Sequence, residues 1–323
     1  MAGLAEPRHR EKNARGRGSA SEAEGVKTGS IGFLGFGEAA QAFLKGWRSE
    51  LGFSERIVAY DIKTKAADAA IRAGKRADYA AAHVEGAAEA PAMAAEADRI
   101  FSVVTADQAH AAALATIPGL RPGAFFFDCD SCAPQTKVES AAMVEAAGGR
   151  YVDVAVMAPV HPRLHKTPLL ICGPHAAAGA EALRALGMSP AIYDGPVGAA
   201  SAIKMTRSIM VKGLEALVCE CVLAGVKAGV AEPVLDSLDD TFPGFDWKKR
   251  SAYMLERVMT HGVRRAAEMR EVALTVDRLG LDKAMASATV EWQQRIGDLK
   301  LDARQIGEDY LARAQAILEA LKI

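Results

Sequence analysis

The chain has 323 residues, half of them apolar and 24% charged, with 39 basic against 40 acidic side chains and a formal net charge of -1. That length leaves room for about two domains with full hydrophobic cores. The even charge balance excludes a general attraction for nucleic acid or acidic lipid, and an aromatic content of 6% argues against base-stacking surfaces.

Residues 1–28 are mixed in charge and nearly free of large apolar groups, too poor in burial to offset the entropy of ordering, and are expected to form a disordered tail. From residue 30 onward, short apolar runs alternate with amphipathic stretches. Residues 30–34, 57–60, 99–104, 124–128 and 151–156 read as strands, being short, rich in β-branched or aromatic residues and closed by Gly, Asp or Thr. Helical patterns at 38–49, 65–74, 90–96, 108–116 and 134–147 separate them, and alternation of this kind predicts a doubly wound parallel α/β sheet. Residues 169–172 and 191–194 are expected to add edge strands. After Gly198 one long helical pattern covers 199–229, and further helices follow, broken near Pro233, Pro243-Gly244 and Gly280. Ile203, Met210, Leu214, Leu217 and Cys221 recur at the helical period as one apolar stripe. The predicted domains are therefore 29–196, α/β, and 197–323, all-helical. The most apolar stretch, 214–226, is interrupted by Glu215 and Glu220 and is too short to span a membrane. Five cysteines, an odd number behind no apolar leader, fit a reduced cytoplasmic protein.

The first strand runs into Gly35-Phe36-Gly37-Glu38-Ala39-Ala40 and then a helix. Gly35 suits a tight turn, Gly37 lets backbone approach a pyrophosphate, and Ala40 permits close helix packing, while the free amides of the helix start attract phosphate. The second strand ends at Asp61, where an acid would meet the adenosine ribose hydroxyls or else simply cap the strand. Its charge favours NAD over NADP, and the nearby Lys63 and Lys65 keep NADP open.

Four motifs resemble those of the β-hydroxyacid dehydrogenase family, which includes 3-hydroxyisobutyrate dehydrogenases and is related to 6-phosphogluconate dehydrogenase. They are the Gly35–Ala40 turn; Ser102-Val103-Val104-Thr105-Ala106-Asp107; Asp128-Cys129-Asp130-Ser131-Cys132-Ala133-Pro134; and Gly195-Pro196-Val197-Gly198-Ala199-Ala200-Ser201-Ala202-Ile203-Lys204. The resemblance covers residues 30 to about 299, in a divergent branch. It implies a Rossmann domain joined by a long helix to a helical domain, Val104 and Thr105 beside the nicotinamide, Ser131 and Asp130 in the substrate loop, and Lys204 as the catalytic lysine. The family's Asn one turn after that lysine is Ser208, and its glycine-rich substrate segment is replaced by Met157, Ala158 and Pro159, which points to a pocket of different shape. Helical-domain homodimers are also implied.

The chemistry independently asks for such a lysine. Hydride transfer from an alcohol requires a base for the hydroxyl proton, and burial at a cleft brings a lysine toward neutrality. A helix-end lysine with its head in water is the plainer reading of Lys204, and a helix N-cap that of Ser131. Asp130 in the loop would repel an acidic substrate or pair with a cation. Arg264 or Arg265 would grip a carboxylate, with Glu268 orienting it, unless these charges form an ion-pair face. Phe242-Pro243-Gly244-Phe245-Asp246-Trp247 lines a pocket or packs a core. Cys129-x-x-Cys132 lacks a second knuckle for zinc, so no metal is expected, and His161 and His165 read as loop residues near the cleft. The leading expectation is an NAD(P)-dependent oxidoreductase acting on a small 3-hydroxy acid or semialdehyde. An imine reductase, which usually lacks the lysine, and a non-catalytic nucleotide sensor are the alternatives.

Overall fold

The computed structural model describes residues 30–322; the tail expected at 1–28 lies outside them. Eight strands form one sheet: β1 (Ile31–Leu34), β2 (Ile57–Tyr60), β3 (Glu85–Gly86), β4 (Arg99–Ser102), β5 (Phe125–Asp128), β6 (Arg150–Val156), β7 (Pro168–Cys172) and β8 (Ser189–Ile192). Their order is β3-β2-β1-β4-β5-β6-β7-β8, parallel throughout except where β7 meets β6 antiparallel. Helices α1 (Glu38–Leu51), α2 (Ala69–Ala81), α3 (Ala90–Ala95), α4 (Ala109–Thr116), α5 (Pro134–Ala146) and α6 (Ala176–Ala185) complete this doubly wound half. Both faces are apolar because helices cover both, so β1, β4 and β5 are buried almost without interruption. One face carries Phe33, Phe101 and Phe127 against Trp47 of α1, with Phe101 and Phe127 stacked at 5.0 Å. The other holds Ile100, Phe126 and Tyr151 against α3 and α5.

The chain order reverses direction between β1 and β4, which opens a crevice at the carboxyl ends of the strands. Across that crevice lies a helical region begun by the 30-residue α7 (Ala199–Ala228) and continued by α8 (Ala231–Thr241), the 32-residue α9 (Trp247–Arg278), α10 (Ala284–Gly297), α11 (Ala303–Ile306) and α12 (Tyr310–Leu321). Its core joins Val218, Cys219 and Val222 of α7 to Leu255 and Val258 of α9 and Ile296 of α10. The start of α7 is fixed by Asp153 in the middle of β6, whose Oδ2 accepts from the amides of Gly198 (3.0 Å) and Ser201 (3.3 Å). An acid at a helix N-terminus meets the positive end of the dipole, so this contact ties the long helix to the sheet.

One sequence expectation needs correcting and two are refined. The stripe of Ile203, Met210, Leu214, Leu217 and Cys221 is only partly covered: Leu214 packs against the helical core, Met210 is 70% and Leu217 57% exposed, and the buried positions of α7 include Met205, Val218, Cys219 and Val222. His165 is not near the cleft but buried against α1, in space left by Gly46. The aromatic cluster packs on itself, Phe245 at 4.2 Å and Phe242 at 5.9 Å from Trp247, which is the core alternative.

Candidate active site

Backbone geometry makes the first turn. Gly35 has φ +85°, and a Cβ there would meet Val104 and the Val103 carbonyl, so glycine alone fits between the two strand ends. A Cβ on Gly37 would project into open space, and no side chain caps α1. The first amides of α1 are thus unclaimed beside an unfilled cradle, which fits a pyrophosphate. Ala40 is fully buried, as close packing on the sheet requires, and Ala39 is half-buried. The Phe36 side chain belongs to the core; its carbonyl accepts from Lys75 Nζ at 2.7 Å. Asp61 is nearly buried, with one oxygen accepting from the Phe36 amide and the other from Lys63 N, both at 2.9 Å. It both caps the turn after β2 and locks the glycine loop. Glu38, exposed at the start of α1, stands 3.7 Å from Arg264 of α9, so the two halves meet directly above the loop.

Beneath the crevice the loop after β5 rests on buried charge. Lys137 of α5 is wholly buried and donates to the Asp128 carbonyl (2.6 Å) and Oδ1 (2.7 Å), with Asp153 Oδ1 3.7 Å away. Asp130 accepts from Ser102 Oγ at 2.6 Å and Val104 N at 2.7 Å. Burial and the Asp128 charge push its carboxyl well above the usual range. The expectation that Asp130 contacts substrate is therefore corrected: both its oxygens face inward and tie the loop after β4 to the loop after β5.

Ser131, next in the loop, is freed by that anchoring. Lys204 Nζ donates to Ser131 Oγ at 2.6 Å, joining residues 73 apart in sequence across the two halves. Burial brings the Lys204 ammonium down to about 8, with Glu268 acting in the opposite direction. Ser131 is not the cap of α5; Glu271 of α9 instead accepts from Ala133 N at 2.8 Å. Glu271 also borders a cavity of about 630 Å³ between the turn after β4, where Thr105 and Asp107 stand, and the α9 residues Thr260, Arg264 and Ala267. Half-buried Val104 adjoins the same turn.

Arg265 and Glu268 do not meet to hold a carboxylate; the alternative of an ion-pair face is the one observed. Arg265 turns into the helical core and pairs with Glu215 of α7, while Glu268 pairs with Lys212 of α7 at 2.8 Å. Ser208 likewise offers no free proton, since its hydroxyl donates to the Lys204 carbonyl at 2.8 Å and accepts from Lys212. Sequence reasoning missed Lys212, whose signal is its place four residues after Ser208 on the face that carries Lys204. It also missed Lys137 and Glu271. Cys129 and Cys132 are buried thiols raised far above their ordinary value by burial. Among the described residues no cluster of three ligating side chains is suited to a metal.

Comparison with known proteins agrees with this architecture. Residues 30–188 match the NAD binding domain of 6-phosphogluconate dehydrogenase, and residues 226–296 match a domain of unknown function, DUF1932. A conserved hypothetical protein from Sinorhizobium meliloti 1021 is 35% identical, with 91% of this chain and 97% of that one aligned at a TM-score of 0.68. A conserved protein whose structure shows similarity to 3-hydroxyacid dehydrogenases is 25% identical over 85% of this chain and 98% of its own, at 0.62. The chain belongs to the β-hydroxyacid dehydrogenase family. It represents a divergent branch with its own helical C-terminal region, and its first half is an NAD-binding domain. The Mycobacterium tuberculosis 3-hydroxyisobutyrate dehydrogenase bound to L-serine shares the fold at 15% identity, covering 90% of this chain and 99% of that one with a TM-score of 0.66. A search of curated proteins finds no match. For a β-hydroxyacid dehydrogenase fold the lysine–serine contact lies at the meeting of the two halves, and no described helix is long and apolar enough to cross a membrane.

Proposed function

We propose that the chain is an NAD(P)-dependent oxidoreductase that moves hydride between nicotinamide and a small 3-hydroxy acid or its semialdehyde, with Lys204 as acid/base. The observation that carries this reading is the 2.6 Å contact between Lys204 and Ser131 at the crevice of an NAD-binding domain. The bound coenzyme supplies or accepts the hydride. Gly35, Gly37 and the α1 amides of Glu38, Ala39 and Ala40 hold its phosphates, with the Phe36 amide kept in register by Asp61. The Arg264 guanidinium offsets the Glu38 charge there. Asp61 opposes a 2′-phosphate and so favours NAD, although Lys63 leaves NADP usable. Val104 and Thr105 border the nicotinamide end.

Ser131 Oγ anchors the substrate hydroxyl or carbonyl oxygen and delivers it to Lys204. In oxidation neutral Lys204 takes the hydroxyl proton, and in reduction the ammonium returns it to the new alkoxide. A lysine that releases its proton at about 8 serves both directions near neutral pH. Five free cysteines support a reducing, cytoplasmic setting. Exposed Met210 and Leu217 on α7 support pairing of two copies through the helical region.

Nicotinamide absorbance followed with NAD and NADP across 3-hydroxy acids, semialdehydes and cyclic imines tests the proposal. Turnover of a hydroxy acid or semialdehyde that is lost in Lys204→Ala is the expected result. Turnover of imines alone, or tight coenzyme binding with no turnover anywhere, would overturn it.

A further inference from the structure

Lys212 stands two turns beyond Lys204 on α7 and is only 7% exposed. Its ammonium lies 2.8 Å from Glu268 Oε2 and donates to Ser208 Oγ at 3.2 Å, and the Ser208 hydroxyl donates in turn to the Lys204 carbonyl. A buried ion pair is costly to desolvate, and an apolar pair of similar volume would pack a helix–helix seam at least as stably. Packing therefore does not account for this pair. Nor is it spent on the neighbouring charges, because Arg265 pairs with Glu215 and Lys137 with Asp128.

Around Lys204 stand Glu268 from α9, Lys212 from its own helix, Lys137 from α5, and Cys129 and Ser131 from the loop after β5. Cys129 is a neutral thiol and Lys137 is bound to a carboxylate beneath the loop, so the two charges free to differ in effect are Glu268 and Lys212. Burial alone would raise Glu268, but Lys212, Arg264 and Lys204 together hold it at about 2, so it is ionised throughout the neutral range.

We infer that the Lys212–Glu268 ion pair is a positioning element for Lys204: it is tied through Ser208 to the lysine's own carbonyl and sets one charge from α7 and one from α9 beside the lysine. For its catalytic meaning the inference rests on Lys204 being the acid/base proposed above.

The test is pH-dependent acetylation of Lys204 by acetic anhydride, read by mass spectrometry on the full chain without coenzyme or substrate. Removing a neighbouring opposite charge disfavours the ammonium, so Glu268→Gln lowers the midpoint by about one pH unit, and Lys212→Met raises it by about one. Lys212→Arg, which keeps the charge, leaves the midpoint in place. Midpoints that stay put or move in the same direction in the two charge-removing variants overturn the inference. If an unpaired charge prevents either from folding, Glu268→Asp, which withdraws the carboxylate by one methylene, gives a smaller downward step, and an unmoved midpoint there is equally fatal. The pH–rate profile of the same variants follows the acetylation midpoint if Lys204 is the acid/base. Shifted midpoints under an unshifted profile would remove Lys204 from the chemistry while leaving the ion pair's role intact.

Discussion

Lys204→Met should make the protein inactive and more stable at once. In the folded chain the lysine falls from the ordinary 10.5 to about 8 because burial disfavours its charged form. At about 1.4 kcal/mol per pH unit, that difference means folding carries an ammonium at a cost of about 3 kcal/mol near neutral pH. Methionine keeps the length of the side chain and removes the charge, and it forfeits the hydrogen bond to Ser131, worth about 1 kcal/mol. A net gain of about 2 kcal/mol follows. The sign with pH is also fixed: between about 8 and 10.5 the unfolded lysine holds a proton that the folded one has released, so wild-type stability climbs through that window and the advantage of methionine shrinks. Thermal unfolding of both proteins at pH 7 and above pH 10 measures this. A variant less stable than wild type at pH 7, or one whose advantage widens with pH, would refute the claim that Lys204 is held against a desolvation penalty.

Asp61→Ala should relax discrimination against NADP, read as the ratio of kcat/KM for the two coenzymes, and an unchanged ratio would dismiss Asp61 from coenzyme choice. Gly262→Ala should destabilise by about 1–3 kcal/mol in urea unfolding, because a Cβ there would stand 2.8 Å from Gly297 Cα at the crossing of α9 and α10, where backbone leaves no slack. Burial and the charges of Arg257, Arg264 and Arg265 lower His261 to about 4, and burial lowers His165, so the unfolded chain binds more protons below pH 6.5. Melting temperature should therefore fall as pH drops from about 6.5 toward 4, and less so in His261→Gln; a flat wild-type profile would contradict it.

The doubly wound half was legible because each buried strand is a short apolar run, Phe125-Phe126-Phe127 closed by Asp128 among them, and the glycine turn marks where it begins. The two-residue β3 escaped notice because Glu85 and Gly86 are both exposed and carry no apolar pattern. Motif order brought Lys204 and Ser131 to one site. It did not reveal which face of α7 is covered, since periodicity defines a stripe without saying what lies opposite. For the same reason the partners of Arg265 and Glu268 were unreadable: each ion pair joins α9 to α7, and only the helix crossing decides that Glu215 meets one and Lys212 the other. Asp130 misled because a carboxylate in a substrate loop reads as a ligand until its two inward hydrogen bonds are seen.

Acid/base chemistry by Lys204 is most directly tested by the pH dependence of the hydride-transfer rate in wild type and Lys204→Ala, on whichever hydroxy acid is turned over. The predicted result is a wild-type profile governed by a group near 8 and, in the variant, a rate lower by about 10²–10⁴ with that limb gone. A variant within tenfold of wild type, or one retaining the limb, would contradict it.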